Sequence, residues 1–208
     1  MTGDLFVTGT DTGVGKTVLS ALLAAALQRR YWKPIQTGAC EGTDRASVMD
    51  WAGLRPDQTH PEAFIFDPPV SPHLAAEQCG VTIDLEAIRR PEDSSPIVIE
   101  GAGGVLVPIN GKTLMVDLMR HLESPVIVAA RTTLGTINHT LLTVSAIRSA
   151  GVQLKGVVMI GRESRDNRRA IEQHGSVPVV GTIPWLETID RSNLCRVYDQ
   201  YFDKTAFA

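Results

Sequence analysis

Apolar residues recur along this chain with two alternating periods, and the first switch between them comes early. Leu5-Phe6-Val7 is a short continuous apolar run of the kind a buried strand needs. Behind it, Val18, Leu22 and Ala26 recur beside Leu19, Leu23 and Leu27, and this spacing predicts a helix over 16–30. Arg29 and Arg30 at its end suit the helix dipole. Tyr31-Trp32-Lys33-Pro34-Ile35 reads as a short strand that ends in the polar turn Gln36-Thr37-Gly38. Gly42-Thr43-Asp44 opens a second helix reaching about 54. The stretch 55–81, with Pro56, Pro61, Pro68, Pro69 and Pro72, reads as an ordered loop, because Phe64, Ile65 and Phe66 call for burial. Within it, Ser71-Pro72-His73 opens a short helix, and 81–90 reads as another with Thr82 as its N-cap.

The second half repeats one rhythm. Ile97-Val98-Ile99 is a buried strand, 113–121 a helix, 125–130 a strand, and 135–150 a helix stopped by Gly151. A strand over 155–160, a helix over 166–175 and a strand over 177–183 follow. Strands alternating with helices predict an α/β fold: a mostly parallel sheet with helices on both faces. Ligands of such sheets bind at the carboxyl ends of the strands.

Composition narrows this picture little. The 208 residues suit a single domain over 1–208, and 43% hydrophobic with 21% charged residues is ordinary for a globular chain. A net charge of −3 gives no electrostatic case for nucleic acid or a membrane surface. Arg162, Arg165, Arg168 and Arg169 are interleaved with Glu163, Asp166 and Glu172, the pattern of a solvated helix face. The longest fully apolar run, 21–27, is too short to span a bilayer, and no signal peptide precedes the first strand. Cys40, Cys79 and Cys195 are odd in number and widely spaced, so neither a disulfide framework nor a zinc site is expected. A cytoplasmic protein is the expectation.

The chemistry concentrates in Gly9-Thr10-Asp11-Thr12-Gly13-Val14-Gly15-Lys16-Thr17, between the first strand and the first helix. Unpaired N–H groups of such a turn point at one spot and cradle phosphate oxygens. Lys16 then reaches the β/γ-phosphates, and the Thr17 hydroxyl ligates Mg²⁺. The spelling is one residue longer than the usual phosphate-binding loop, since Thr10 stands where the first glycine belongs. A dinucleotide fingerprint fits less well, because Val18 occupies the place of its third glycine. Lys33 is held extended by Pro34 at a strand end, and taken alone it reads as a surface lysine. Asp44 alone reads as a capping or first-turn carboxylate. Glu100, at the end of the strand before Gly101-Ala102-Gly103-Gly104, stands where a nucleotide site places a metal ligand. Gly135-Thr136-Ile137-Asn138-His139 begins a helix and forms a second potential anion site.

Taken in order, these motifs resemble the dethiobiotin synthetase family, whose phosphate loop also carries the extra residue. The likeness covers most of the chain and includes Lys33-Pro34, Thr37-Gly38, Ser71-Pro72-His73, Glu100-Gly101-Ala102-Gly103-Gly104, Leu134-Gly135, Ile137-Asn138-His139 and Ile183-Pro184-Trp185-Leu186. The resemblance implies a P-loop NTPase-like fold and an ATP-dependent ligase of biotin biosynthesis. Diaminopelargonic acid and CO₂ (or bicarbonate) give a carbamate, ATP converts it to a carbamic–phosphoric anhydride, and the second amine closes a cyclic urea. By residue, it implies Lys33 and Lys16 as catalytic lysines, with Thr17, Asp44 and Glu100 on Mg²⁺. The nucleotide would lie against Gly13, Val14, Gly15, Lys16, Thr17, Val18, Asp44, Glu100, Gly101, Ala102 and Gly103. Its base would lie near Gly161, Arg162, Pro184, Trp185 and Leu186. Thr12, Lys33 and Thr37 would hold the diamine end, and Gly135, Thr136, Ile137 and Asn138 its carboxylate across the interface of a homodimer.

Two features depart from the family. Gly161-Arg162 stands where members commonly carry Asn-Asp, whose amide reads adenine, so relaxed base selectivity is expected. The connection from the first helix to Lys33 is short, so a trimmed second strand is expected. Partitioning ATPase switches carry a signature lysine where this chain has Asp11. The amide-forming synthases of cobalamin biosynthesis append a glutaminase for which 187–208 leaves no room. A plain small-molecule kinase would leave a phosphorylated product.

Overall fold

A computed structural model describes residues 3–207. The chain begins with β1 (Leu5–Gly9), fully buried, which feeds through the glycine loop into α1 (Lys16–Ala26). Gln28, in the left-handed region at φ 52°, turns the chain, and β2 (Arg30–Trp32) starts at once. Helix α1 is therefore shorter than its apolar pattern predicts, because Arg30 is already paired with Ile97 in the sheet. The two arginines consequently serve the loops instead of the helix terminus: Arg29 donates to the Gly3 carbonyl and Arg30 pairs with Asp93.

The strand expected over 31–35 is broken. Lys33-Pro34 leaves the main sheet, since proline has no N–H to continue the ladder. The Pro34 carbonyl instead accepts from the amides of Ala63 and Phe64. A separate two-stranded parallel sheet follows, β3 (Ile35–Gln36) with a strand from the proline-rich segment. Between them come α2 (Asp44–Ala52), capped by Thr43 Oγ1 accepting from the Ala46 amide at 3.2 Å, and β4 (Thr59–His60). The partner strand is β5 (Phe64–Ile65). Thus 55–81 is more regular than expected, and of Phe64, Ile65 and Phe66 only Phe66 is buried, while Ile65 is 53% exposed.

Next is α3 (Pro72–Gln78), as the Ser-Pro-His signal predicts. The helix expected over 81–90 is absent. One 3₁₀ turn, Leu85–Ala87, is capped by Asp84 accepting from the Glu86 amide at 3.0 Å. The reason is geometric: Ile83 and Ile88 are both fully buried, and on an α-helix residues five apart lie about 140° apart, so they could not share a buried face.

The remainder follows the predicted rhythm: β6 (Ile97–Gly104), α4 (Met115–His121), β7 (Val126–Arg131), α5 (Thr136–Ser149), β8 (Leu154–Ile160), α6 (Arg165–Gly175) and β9 (Val179–Ile183). Gly151, at φ 70°, stops α5 as read from the sequence. The arginines of α6 are solvated and paired with Glu163, Asp166 and Glu172. The acidic and aromatic segment after Leu186 contains α7 (Arg191–Tyr201). Tyr198, Phe202 and Phe207 cluster there at ring separations of 5.3 to 6.0 Å.

Seven strands pair in the order β4-β2-β6-β1-β7-β8-β9, all parallel. Side chains alternate between its two faces. Phe6, Trp32, Ile99 and Val128 pack beneath α3, α4, α5 and α6. Leu5, Val7, Tyr31 and Val98 pack beneath α1, α2 and α7. Because β1 lies between β6 and β7, later strands depart from it in both directions, and the crevice expected of such sheets opens at its carboxyl end. Among the described residues no helix is long and apolar enough to cross a membrane.

Candidate active site

The glycine loop is shaped by residues at the ends of β7 and β8. Gly15, the N-cap of α1 at φ 101°, lies against Ile160: a Cβ there would sit 2.9 Å from the Ile160 side chain. No side chain caps this helix, so its first amides remain available to an anion. Lys16 is buried and donates from Nζ to the Asp11 carbonyl at 3.1 Å, curling back over the loop. Burial lowers its pKa, and Glu100 partly offsets that effect. Asp11 is fixed in turn: its Oδ1 accepts from the Thr12 amide at 2.7 Å and its Oδ2 from Arg131 at 2.6 Å. Arg131, at the end of β7, is a loop-shaping residue that sequence reasoning missed, since nothing in a lone arginine after an apolar run points to it.

Beside the loop, four side chains from distant parts of the chain converge. Glu100 is 1% exposed and Lys33 5%. Lys33 Nζ pairs with Asp44 Oδ2 and lies 3.3 Å from Glu100 Oε1. The Thr17 hydroxyl lies 2.8 Å from Asp44 Oδ1 and 3.0 Å from Glu100 Oε1. The sheet explains the meeting. Tyr31 pairs with Val98 and Trp32 with Ile99, so Lys33 leaves β2 level with Glu100 and on the same face. Burial opposes the charge on Lys33, but Glu100 and Asp44 outweigh it and its pKa is raised. Burial likewise opposes the charge on Asp44, yet Lys33 and the Thr17 hydroxyl outweigh it and lower its pKa. Lysine and aspartate are therefore ionised at neutral pH, with the lysine an electrostatic clamp and a poor base.

Three of the four, Thr17, Asp44 and Glu100, suit a hard cation, while the Lys33 ammonium beside them has no lone pair to offer. All available donors are oxygens, the preference of Mg²⁺. A hydroxyl has one proton to give, so one of the two Thr17 contacts sets oxygen against oxygen, an arrangement a cation relieves. Among the described residues no group of three or more His, Cys, Asp or Glu forms a cage; water and phosphate oxygens would complete such a site, as Mg²⁺ prefers.

Two further polar residues organise this centre and were not singled out in sequence. Gln36 accepts from the Asp44 amide at 3.0 Å through Oε1 and donates to the Thr37 carbonyl at 2.7 Å, so β3 holds the start of α2. Tyr31 donates its hydroxyl to Glu100 Oε2 at 3.0 Å. An open cavity of about 550 Å³ adjoins the cluster, lined by Thr12, Thr37, Asp44, Ser71, Gly103 and Val107 among others.

The remaining predicted residues spread outward. Gly13 is exposed, Val14 buried and Val18 half-buried along the loop and first turn; Gly101 and Ala102 are buried and Gly103 half-buried beyond Glu100. Gly161 donates its amide to the Ile183 carbonyl at 2.9 Å, joining the ends of β8 and β9. It is buried at φ 127°, and a Cβ there would fall 2.6 Å from Thr132 Oγ1. Nearby, Arg162 and Trp185 are exposed, while Pro184 and Leu186 are half-buried. Gly135, Thr136, Ile137 and Asn138 do not line the 550 Å³ cavity. Thr136 is buried, its hydroxyl given to the Arg131 carbonyl and its amide to Thr133, whereas Gly135 and Asn138 face solvent.

A family model described as an AAA domain matches residues 3–193. The chain is 47% identical over 207 residues to the ATP-dependent dethiobiotin synthetase BioD of Rhodopseudomonas palustris (strain HaA2), covering 100% of this chain and 97% of that one. It is 46% identical to the enzyme of the same name from Nitrobacter hamburgensis, covering 97% and 95%. A ParA family ATPase from Chlorobium tepidum superposes with a TM-score of 0.55 at 12% identity, covering 98% and 96%, a likeness of fold alone. With full-length identity of this order beside a glycine loop and its carboxylates, the chain belongs to the family of ATP-dependent dethiobiotin synthetases.

Proposed function

We propose that this chain, acting as one catalytic domain, closes the ureido ring of dethiobiotin at the expense of ATP. The diamine substrate takes up CO₂ as a carbamate, the carbamate oxygen attacks the γ-phosphorus, and ADP leaves. The second amine then attacks the carbamoyl carbon and expels phosphate, so one ATP is spent for each ring. The observation that carries this reading is Lys33, buried between Asp44 and Glu100 at the mouth of the phosphate loop.

Phosphoryl transfer to the carbamate brings anions together, so positioning and charge neutralisation dominate the catalysis. Lys16 and the loop amides from Gly13 to Val18 hold the phosphates, with Gly101, Ala102 and Gly103 forming the facing wall. Lys33, kept cationic by its carboxylates, holds carbamate and γ-phosphate side by side. Thr17, Asp44 and Glu100 would hold Mg²⁺, which would supply further neutralisation of the phosphates. Thr12 and Thr37 line the cavity and bind the diamine end. Gly161, Arg162, Pro184, Trp185 and Leu186 border the base, where the steric bar at Gly161 supports broad nucleotide use. Gly135, Thr136, Ile137 and Asn138 take the substrate carboxylate of the partner protomer in a homodimer, chiefly through backbone, since the Thr136 hydroxyl is engaged internally. The reaction is assigned to the cytoplasm, and neither nucleic acid nor membrane takes part.

The test is phosphate release with Mg²⁺, ATP and bicarbonate, with and without diaminopelargonic acid. Release that requires the diamine, with a cyclic urea identified by mass spectrometry, is the expected result. Release indifferent to the diamine, or a stable phosphorylated product, would replace the ligase reading by a switch or a kinase.

A further inference from the structure

A buried carboxylate with two oxygens to satisfy must have both accounted for. Glu100 Oε1 faces Lys33 and Thr17, on the side of the phosphate loop. Its Oε2 points the other way, and the hydrogen bond recorded there comes from the Tyr31 hydroxyl at 3.0 Å. Tyr31 is 0% exposed and sits on the central part of β2, two residues before Lys33. Alternation along the strand puts the phenol and the ammonium on one face, and the β2–β6 register puts Val98 and Glu100 on that same face. The carboxylate is thus held from behind by a donor that cannot move, because the ring is packed in the apolar layer beneath α1 and α2. The bond is more than a buried phenol finding any acceptor: it fixes the rotation of the carboxylate and leaves Oε1 to face the centre.

We propose that Tyr31 is a positioning residue for Glu100, orienting one carboxylate oxygen toward the divalent cation of the nucleotide. This rests on the reading of Glu100 as a metal ligand given above. A partner that orients a ligating carboxylate is worth on the order of 10-fold or more in metal affinity. Tyr31→Phe removes one oxygen and leaves the ring in place, so its effect is confined to this bond.

The experiment is a Mn²⁺ titration, read by electron paramagnetic resonance, of the protein saturated with a non-hydrolysable ATP analogue. It is run on wild type, Tyr31→Phe, Glu100→Gln and the double variant, with melting curves on the same samples. Tyr31→Phe is expected to weaken Mn²⁺ about tenfold, to leave metal-free ATP affinity unchanged, and to add nothing in the Glu100→Gln background. Site-specific 3-fluorotyrosine at position 31 retains the donor and is expected to retain wild-type affinity, which separates the hydroxyl from any loss of folding. Unchanged Mn²⁺ affinity in Tyr31→Phe, with Glu100→Gln weakened, would overturn the role of Tyr31 alone. Equal loss of metal-free ATP binding, or additive effects in the double variant, would make Tyr31 structural. Unchanged affinity in Glu100→Gln would remove the metal reading of Glu100 and this proposal with it.

Discussion

Lys33 carries the heaviest electrostatic duty for its size. Of the carboxylates that face it, Glu100 is fully buried while Asp44 keeps 28% of its side chain exposed, and removing one partner of a buried pair costs about 3–5 kcal/mol in general. Lys33→Met is therefore expected to lower turnover strongly with nucleotide binding retained in the folded protein; parallel loss of both would make the lysine structural. Its pH signature follows from the directions of the shifts. Lys33, with its pKa raised above 10.5, contributes stability that is complete below that value and lost as pH climbs through its folded pKa. Asp44, lowered from 3.8, contributes stability above that value and loses it as pH falls through its folded pKa. The stability difference between wild type and Lys33→Met should then stay level between these limits and shrink outside them. Denaturant titrations from pH 3 to 11 measure it, and a step near neutrality would contradict the assignment. Gly161 gives a different residue-level test. Installing the asparagine that the resemblance leads one to expect here must strain a backbone at φ 127° and meet Thr132 Oγ1. Gly161→Asn alone should cost about 1–3 kcal/mol and not sharpen base choice. GTP or CTP rates far below the ATP rate in wild type would instead mean that backbone or Thr132 already reads the base.

At the scale of elements, what could be read depended on whether periodicity alone decided the outcome. The strand–loop–helix unit around Lys16, the strand ending at Glu100 and the helix stopped by Gly151 follow from apolar spacing and glycine, which act locally. The convergence of Lys33, Asp44 and Glu100 could be anticipated from motif order, but Tyr31, Gln36 and Arg131 could not. Their roles depend on strand register and on a loop 120 positions away in sequence, as in the Arg131–Asp11 pair. Pro34 misled for a related reason: an extended conformation does not reveal whether the partner is β6 or β5. Residues 81–90 show propensity losing to burial at Ile83 and Ile88. The acidic and aromatic segment beyond Leu186 contains the amphipathic α7, which buries Leu194 and Val197 against the α1 face while its other side stays wet. Since that layer also seats α1 behind the phosphate loop, Leu194→Ala should cost about 2–5 kcal/mol. Urea unfolding would show it. A shift under 1 kcal/mol would mean that α7 is only loosely applied to the sheet.

At the scale of the whole molecule, one surface is out of keeping with an isolated protomer. Leu134 is 104% exposed, Leu142 61% and Leu106 59%. Leu106 and Leu142 border the same cavity as Thr10, Asp11 and Thr12, so the apolar ground begins at the phosphate loop itself. Exposed leucines scattered singly need no explanation, but Leu106 and Leu142, grouped beside the loop, predict an interface with a second copy of the chain. Each leucine covered fully is worth about 1.5–3 kcal/mol, and in a twofold dimer every such contact is made twice. A second copy laid on this face would also bring Gly135 and Asn138, which lie off their own protomer's cavity, toward the neighbouring site. The linked prediction separates assembly from folding. Leu142→Glu, on the solvent side of α5, should leave the melting temperature of the protomer nearly unchanged yet shift the particle mass by light scattering from dimer to monomer. Because the proposed carboxylate-binding residues would then be supplied by no partner, KM for the diamine should rise about tenfold or more, the scale of one lost charge-assisted hydrogen bond, while KM for ATP stays put. A monomeric variant with an unaltered diamine KM would confine each active site to a single chain, and a wild-type protein that is monomeric at micromolar concentration would remove the interface altogether.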